Sequence, residues 1–306
     1  MPPRSAAIDP TLPPERRKLR IYASDPLNGR RASQRITIDV ENEPGLAPGP
    51  TGQIVQVVDY DGKYECYYEP VDLDHPALLM QNGIEPNEIQ PQFHQQMVYA
   101  VAMKVIETAR RALGRPITFH RPKYPRLRLM PHAFVGANAF FDPKLNAILF
   151  GYFRASTSNP GANLPGQPVF TCLSHDIIAH EVTHAIVHRL RRYFMEPTNV
   201  DVLAFHEAFS DLVALLQRFT YREVLVEQLQ EAGGRIEMSK LLIDLARQFG
   251  EATGSGAALR SGIGVADAQA MTREREPHGR GAILVAAVFG GFLRVAEQRA
   301  HTLFRI

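Results

Sequence analysis

Little in this chain points to a disulfide scaffold, a membrane span or a nucleic-acid surface. Its two cysteines, Cys66 and Cys172, are too few among 306 residues for a disulfide framework, although one bridge between them stays open. Both are expected as buried free thiols. No stretch approaches the roughly 18 apolar residues of a membrane span, so no membrane partner is expected. Met1-Pro2-Pro3-Arg4 opens a Pro- and Arg-rich segment without the apolar core of a signal peptide. The sequence reads as cytoplasmic as translated, with secretion by another route left open. Lys and Arg number 34 against 32 Asp and Glu, a net charge of +2, and no basic cluster is long enough to imply nucleic acid. What is left is a globular composition, 45% hydrophobic and 22% charged, with length for one large domain or two lobes.

The pattern along the chain predicts an α+β fold. Residues 1–17 are Pro-rich and read as a flexible tail. Residues 20–24, 35–40, 53–58 and 64–68 alternate like strands, and Asp61-Gly62 is a hairpin turn signal, so the first seventy residues predict an antiparallel β region. Helical spacing runs from Gln92 to Leu113 until Gly114 and Pro116 stop it. Asn138 to Asp142 and Ala147 to Tyr152 read as a hairpin. Ser174 can cap a helix that continues to about residue 193. Helices are then expected at 202–219, 238–249 and 282–300. The implied organisation is a β-rich N-terminal lobe (18–172), a central helix (173–193) and a mainly helical C-terminal lobe (194–306), with a cleft between the lobes.

The central helix carries His180-Glu181-Val182-Thr183-His184. Four residues is little more than one helical turn, so both imidazoles lie on one face. Two neutral imidazoles so placed can bind one Zn²⁺, and Glu181 beside them can act as general base. A catalytic zinc normally takes a third protein ligand. His188 lies one turn too far along a straight helix and reads as a surface or packing residue. A third His with a preceding Gly, in the extended motif, would fall at Leu190 and Val187, which excludes that class.

The remaining candidate is His206-Glu207-Ala208-Phe209-Ser210-Asp211. Glu207 and Asp211 are four apart in an otherwise apolar helix. Buried acids need partners. Zinc would serve Glu207, and the far nitrogen of a ligand histidine would serve Asp211.

With these residues in place, the chain resembles a thermolysin-type neutral zinc metallopeptidase of the Glu-ligand class over roughly residues 90–300. The resemblance rests on the zinc motif and on the third-ligand motif, in which His206 replaces the family's Asn. It implies one zinc per chain on His180, His184 and Glu207, with Asp211 orienting His180. It further implies that Asn138, Ala139 and Phe141 belong to an edge strand that pairs with substrate backbone. Arg260 and His278 would stabilise the oxyanion, Tyr193 would assist, and Ile177 and Leu259 would line an apolar pocket for the residue after the cut. A peptide or protein is the implied substrate.

The family's double calcium site needs acids after the third-ligand helix. Here that region reads Arg218-Phe219-Thr220-Tyr221-Arg222, so calcium is not expected to be required, and Asp176 should find a cationic or helix N-terminal partner instead. The chain also ends soon after its last helix, where family members carry more. Two alternatives share the same residues: an inactive scaffold of this fold, and a zinc hydrolase acting on a non-peptide amide.

Overall fold

The computed structural model describes residues 15–28, 34–234, 240–245, 247–253, 260–261 and 268–303. The fold is α+β, with most strands before residue 171 and mostly helices after it. Leu19, Ile21, Ile36, Ile38 and Val40 alternate inward along β1 (Arg16–Tyr22) and β2 (Arg35–Glu41), which pair antiparallel. β1 begins inside the stretch expected to be a flexible tail. Arg17 is buried there because its guanidinium donates to the Leu73 carbonyl at 2.6 Å and pairs with Asn42 and Asp74.

β3 (Val55–Val57) corrects the expectation of a purely antiparallel first region. It runs parallel to a strand some seventy residues later. Next come β4 (Tyr60–Asp61) and β5 (Cys66–Tyr67), a short antiparallel pair whose turn is closed by Asp61 accepting from the amides of Lys63 and Tyr64. Cys66 is exposed there, contrary to expectation, whereas Cys172 is buried; both are free thiols.

After α1 (Pro76–Met80), α2 (Pro91–Leu113) makes the crossover that a parallel pair requires. Phe93, Met97, Val101 and Ile106 are buried along it, and Gly114 caps it at φ 63°, where a side chain would be strained. Its buried amides are satisfied: Gln95 accepts from the Val71 amide and Gln96 from that of Ile84, each at 2.8 Å.

β6 (Leu127–Val135), β7 (Ala139–Asp142), β8 (Ala147–Arg154) and β9 (Pro168–Phe170) follow. The sheet order is β3-β6-β8-β7, with β9 also paired to β8, so β7 lies at an edge, as expected of residues 138–141. α3 (His175–Leu190) starts where expected, with the Ser174 side chain accepting from the Ile177 amide.

α4 (Val200–Arg218) and α5 (Arg222–Glu231) come next. The single helix expected over 238–249 is broken: α6 (Lys240–Ile243) gives way to β10 (Asp244–Leu245), then α7 (Arg247–Ala252). β10 pairs with β11 (Arg260–Ser261), and that pairing overrides helical propensity. α8 (Ala268–Arg273) precedes α9 (Pro277–Leu303). α9 holds a window of mean hydropathy 1.5, long and apolar enough by length and composition to cross a membrane, contrary to the expectation that no stretch reaches that length. It packs on α4 and buries Val285, Phe289 and Leu293, while Val288 and Val295 are exposed.

α3 and α4 are tied by a buried ion pair. Arg218 Nε donates to Asp176 Oδ1 at 2.7 Å, its Nη2 pairs with Oδ2, and Nη1 donates to the Asp244 carbonyl at 2.6 Å. This is the cationic partner expected for Asp176. Burial pulls the Arg218 pKa down to about 10, so the guanidinium stays charged at neutral pH. Removing one partner of such a pair leaves a buried charge uncompensated. Arg218→Ala is therefore expected to destabilise the fold by about 3–5 kcal/mol in urea unfolding; a loss below about 1 kcal/mol would show that the pair does not tie the helices.

Candidate active site

α3 presents His180 and His184 one turn apart, with ring centroids 4.5 Å from each other. α4 crosses beside it and brings Glu207 against both rings. His180 Nε2 lies 3.2 Å from Glu207 Oε2, and His184 Nε2 lies 3.5 Å from Oε1. α9 completes the wall. A Cβ on Gly281 would lie 2.8 Å from the Ala204 carbonyl and 3.3 Å from Glu207 Cβ, so glycine there lets α9 approach α4 closely. One turn earlier, His278 places Nε2 3.2 Å from Glu207 Oε2, while its Nδ1 lies 2.7 Å from Glu276 Oε1, which orients the ring.

These side chains line a cleft of about 300 Å³ with β7 along its rim. Asn138, Ala139, Phe141, His180, Glu181, His184, Glu207 and His278 all border it. Phe140, Met195, Leu203 and His206 border it as well and were not singled out from sequence. Glu181 is buried, and its Oε2 accepts from the Phe141 amide at 3.0 Å, which fixes the carboxylate against the edge strand.

The donor set fits zinc. Bonds of about 2.0–2.1 Å at tetrahedral angles set donor atoms about 3.4 Å apart, the spacing observed here between the histidine nitrogens and the Glu207 oxygens. Glu207 Oε2 is a buried atom facing His180 Nε2 and His278 Nε2, each at 3.2 Å. Burial works against the Glu207 charge, and the His180 and His184 rings more than offset it, holding the carboxyl well below its ordinary range.

The far nitrogens are also fixed. His180 Nδ1 lies 2.8 Å from Asp211 Oδ1, the orienting contact expected of Asp211. His184 Nδ1 faces Ser210 Oγ at 3.1 Å and His206 Nδ1 closer still, and the His206 ring stacks on His184 with centroids 4.6 Å apart. Burial lowers the His206 pKa to about 3, so this ring is neutral. His206 and Ser210 repeat the four-residue spacing of Glu207 and Asp211 one position earlier, a signal the sequence carried unread.

Other expected residues fall elsewhere. Tyr193 sits on a 3₁₀ turn, 58% exposed, with its hydroxyl held by Arg192, and it does not border the cleft. The helix ends at Leu190, so the chain turns away before Tyr193. Ile177 is buried in the main core and does not line the cleft. Arg260 pairs its backbone with Leu245, but its side chain and all of Leu259 lie outside the described residues. His188 is the packing residue expected: Arg121 donates to its Nε2 at 2.8 Å, and the Phe141 ring packs against it at a tilt of 53°.

Glu207→Ala is expected to retain one equivalent of zinc per chain fewer than His188→Ala, and Asp211→Ala to weaken zinc binding at this site about 10–100-fold. Metal analysis with a competing chelator checks both. Equal zinc retention in the Glu207 and His188 variants would remove Glu207 from the ligand set. No protein-family model matches the chain, and no curated protein matches it.

Proposed function

We propose that the chain is a zinc-dependent metalloendopeptidase of the thermolysin-like, Glu-ligand type. One observation carries the reading: an imidazole nitrogen of His180 and one of His184 each lie 3.2–3.5 Å from an oxygen of the half-buried Glu207 carboxylate, with Glu181 beside them and held to the edge strand. Bound zinc supplies Lewis acidity, polarising a carbonyl and acidifying water. Glu181 accepts the proton of the attacking water and hands it to the leaving amine. The Phe141 amide holds that carboxylate in place meanwhile. His278, oriented by Glu276, offers Nε2 to the developing oxyanion, where a lost donor typically costs about 2.7–4 kcal/mol. Arg260 is proposed as a second donor from the resemblance alone. The substrate lies along β7 as an added strand. Phe140, Met195 and Leu203 make that part of the cleft apolar, which favours a hydrophobic residue next to the cut.

The test is a casein or quenched-peptide assay on the purified chain. Wild type is expected to cleave, a zinc chelator to abolish cleavage, and Glu181→Gln to keep zinc and fold while losing turnover, because the amide cannot accept the proton. Near wild-type turnover by Glu181→Gln would refute the general-base role. No turnover by zinc-loaded wild type on any peptide would leave a scaffold or a non-peptide amidase.

Calcium gives a further check. Arg218 already neutralises Asp176, and Ca²⁺ wants six to eight oxygens, mostly from carboxylates. Millimolar Ca²⁺ is expected to leave the melting temperature unchanged. A rise of several degrees absent with Mg²⁺ would reveal a calcium site, since a ligand that binds the native state raises its stability.

A further inference from the structure

A second cluster of donor atoms lies apart from the cleft. His94 on α2, His132 on β6 and Cys172 just before α3 are all buried, and their potential ligand atoms lie within 4.8 Å of one another. The far nitrogen of each ring is already committed. His94 Nε2 lies 3.1 Å from the Glu88 carbonyl, which can only accept, so that nitrogen carries hydrogen. His132 Nδ1 lies 2.6 Å from Asp59 Oδ1, and the other Asp59 oxygen accepts from Gln95 Nε2 at 2.9 Å.

In the neutral tautomers set by these partners, the two facing nitrogens, His94 Nδ1 and His132 Nε2, are both bare lone pairs 2.8 Å apart. Two lone pairs at that distance repel. Asp59, His132 and His94 must together hold one proton beyond an ionised carboxylate and two neutral rings, or a metal ion must take its place. The rings of Tyr68, Tyr152 and Phe170 pack around His132. Burial pushes the Cys172 thiol well up, so it holds its proton unless a cation takes it.

We propose that His94, His132 and Cys172 form a structural site for a thiophilic metal ion of the Zn²⁺ or Cu⁺ class. Two imidazoles and a thiolate are the donor set for such ions, whereas Ca²⁺ and Mg²⁺ take oxygen. A carboxylate on one ligand histidine and a backbone carbonyl on the other are the outer contacts that metal-binding histidines use. Binding releases the thiol proton and the proton shared between the rings, and the facing nitrogens separate to about 3.4 Å, the tetrahedral edge of a zinc site. The ion would join α2, the central sheet and the start of α3, the helix that carries His180 and His184.

Cobalt distinguishes this site from the cleft, because the cleft lining holds no thiol and this site offers Cys172. The probe is full-length Cys66→Ser protein produced in zinc-poor medium supplied with Co²⁺, so that the ion can enter during folding and Cys172 is the sole thiol. Two cobalt equivalents per chain and a near-ultraviolet sulfur-to-cobalt charge-transfer band are expected. The band should be lost in Cys66→Ser/Cys172→Ser, with one equivalent kept. Cys66→Ser protein without the band overturns the site, whether cobalt is bound elsewhere or not, and so does a band that survives loss of both thiols. Neither result depends on peptidase activity.

Discussion

The carboxylate of Glu207 is the group on which the site depends. It is largely buried, and it faces Nε2 of His180, His184 and His278 from one point on α4. A buried carboxylate is tolerated only where cations or donors converge on it. Much of the surrounding architecture provides that convergence. The Asp176–Arg218 pair ties α3 to α4, and Gly281 lets α9 close on the same helix. The fixed helix crossing turns two local motifs, four residues apart on each helix, into one three-dimensional donor set.

The edge strand adds the second half of the arrangement. β7 is held by β8 on one side and reaches Glu181 through the Phe141 amide. A single hydrogen bond therefore links the proposed general base to the proposed substrate platform. Movement of β7 would move the Glu181 carboxylate, which couples peptide docking to positioning of the base within the proposed mechanism.

What could be read from sequence was what is local in the chain. Helical periodicity put His180 above His184, and two acids in an apolar helix singled out Glu207 and Asp211. The missing parts depend on contacts that no local pattern encodes. β3 looked like a strand of an antiparallel region, yet Val55 pairs in parallel with Leu127 across the α2 crossover. His206 and Ser210 carry the same spacing as their neighbours, but their facing of His184 depends on how α4 is rotated against α3. Tyr193 followed α3 in sequence, yet the helix stops short of it and the turn carries its ring outward. The helix expected over 238–249 was broken by pairing of Asp244 and Leu245 with a distant strand.

The central claim is that His180, His184 and Glu207 hold one zinc ion. Anomalous diffraction at the zinc edge, on crystals of the zinc-loaded chain, tests it most directly. The account predicts an anomalous peak bonded to His180 Nε2, His184 Nε2 and a Glu207 oxygen at about 2.0–2.2 Å. A zinc-loaded crystal with no peak between those three residues would contradict it.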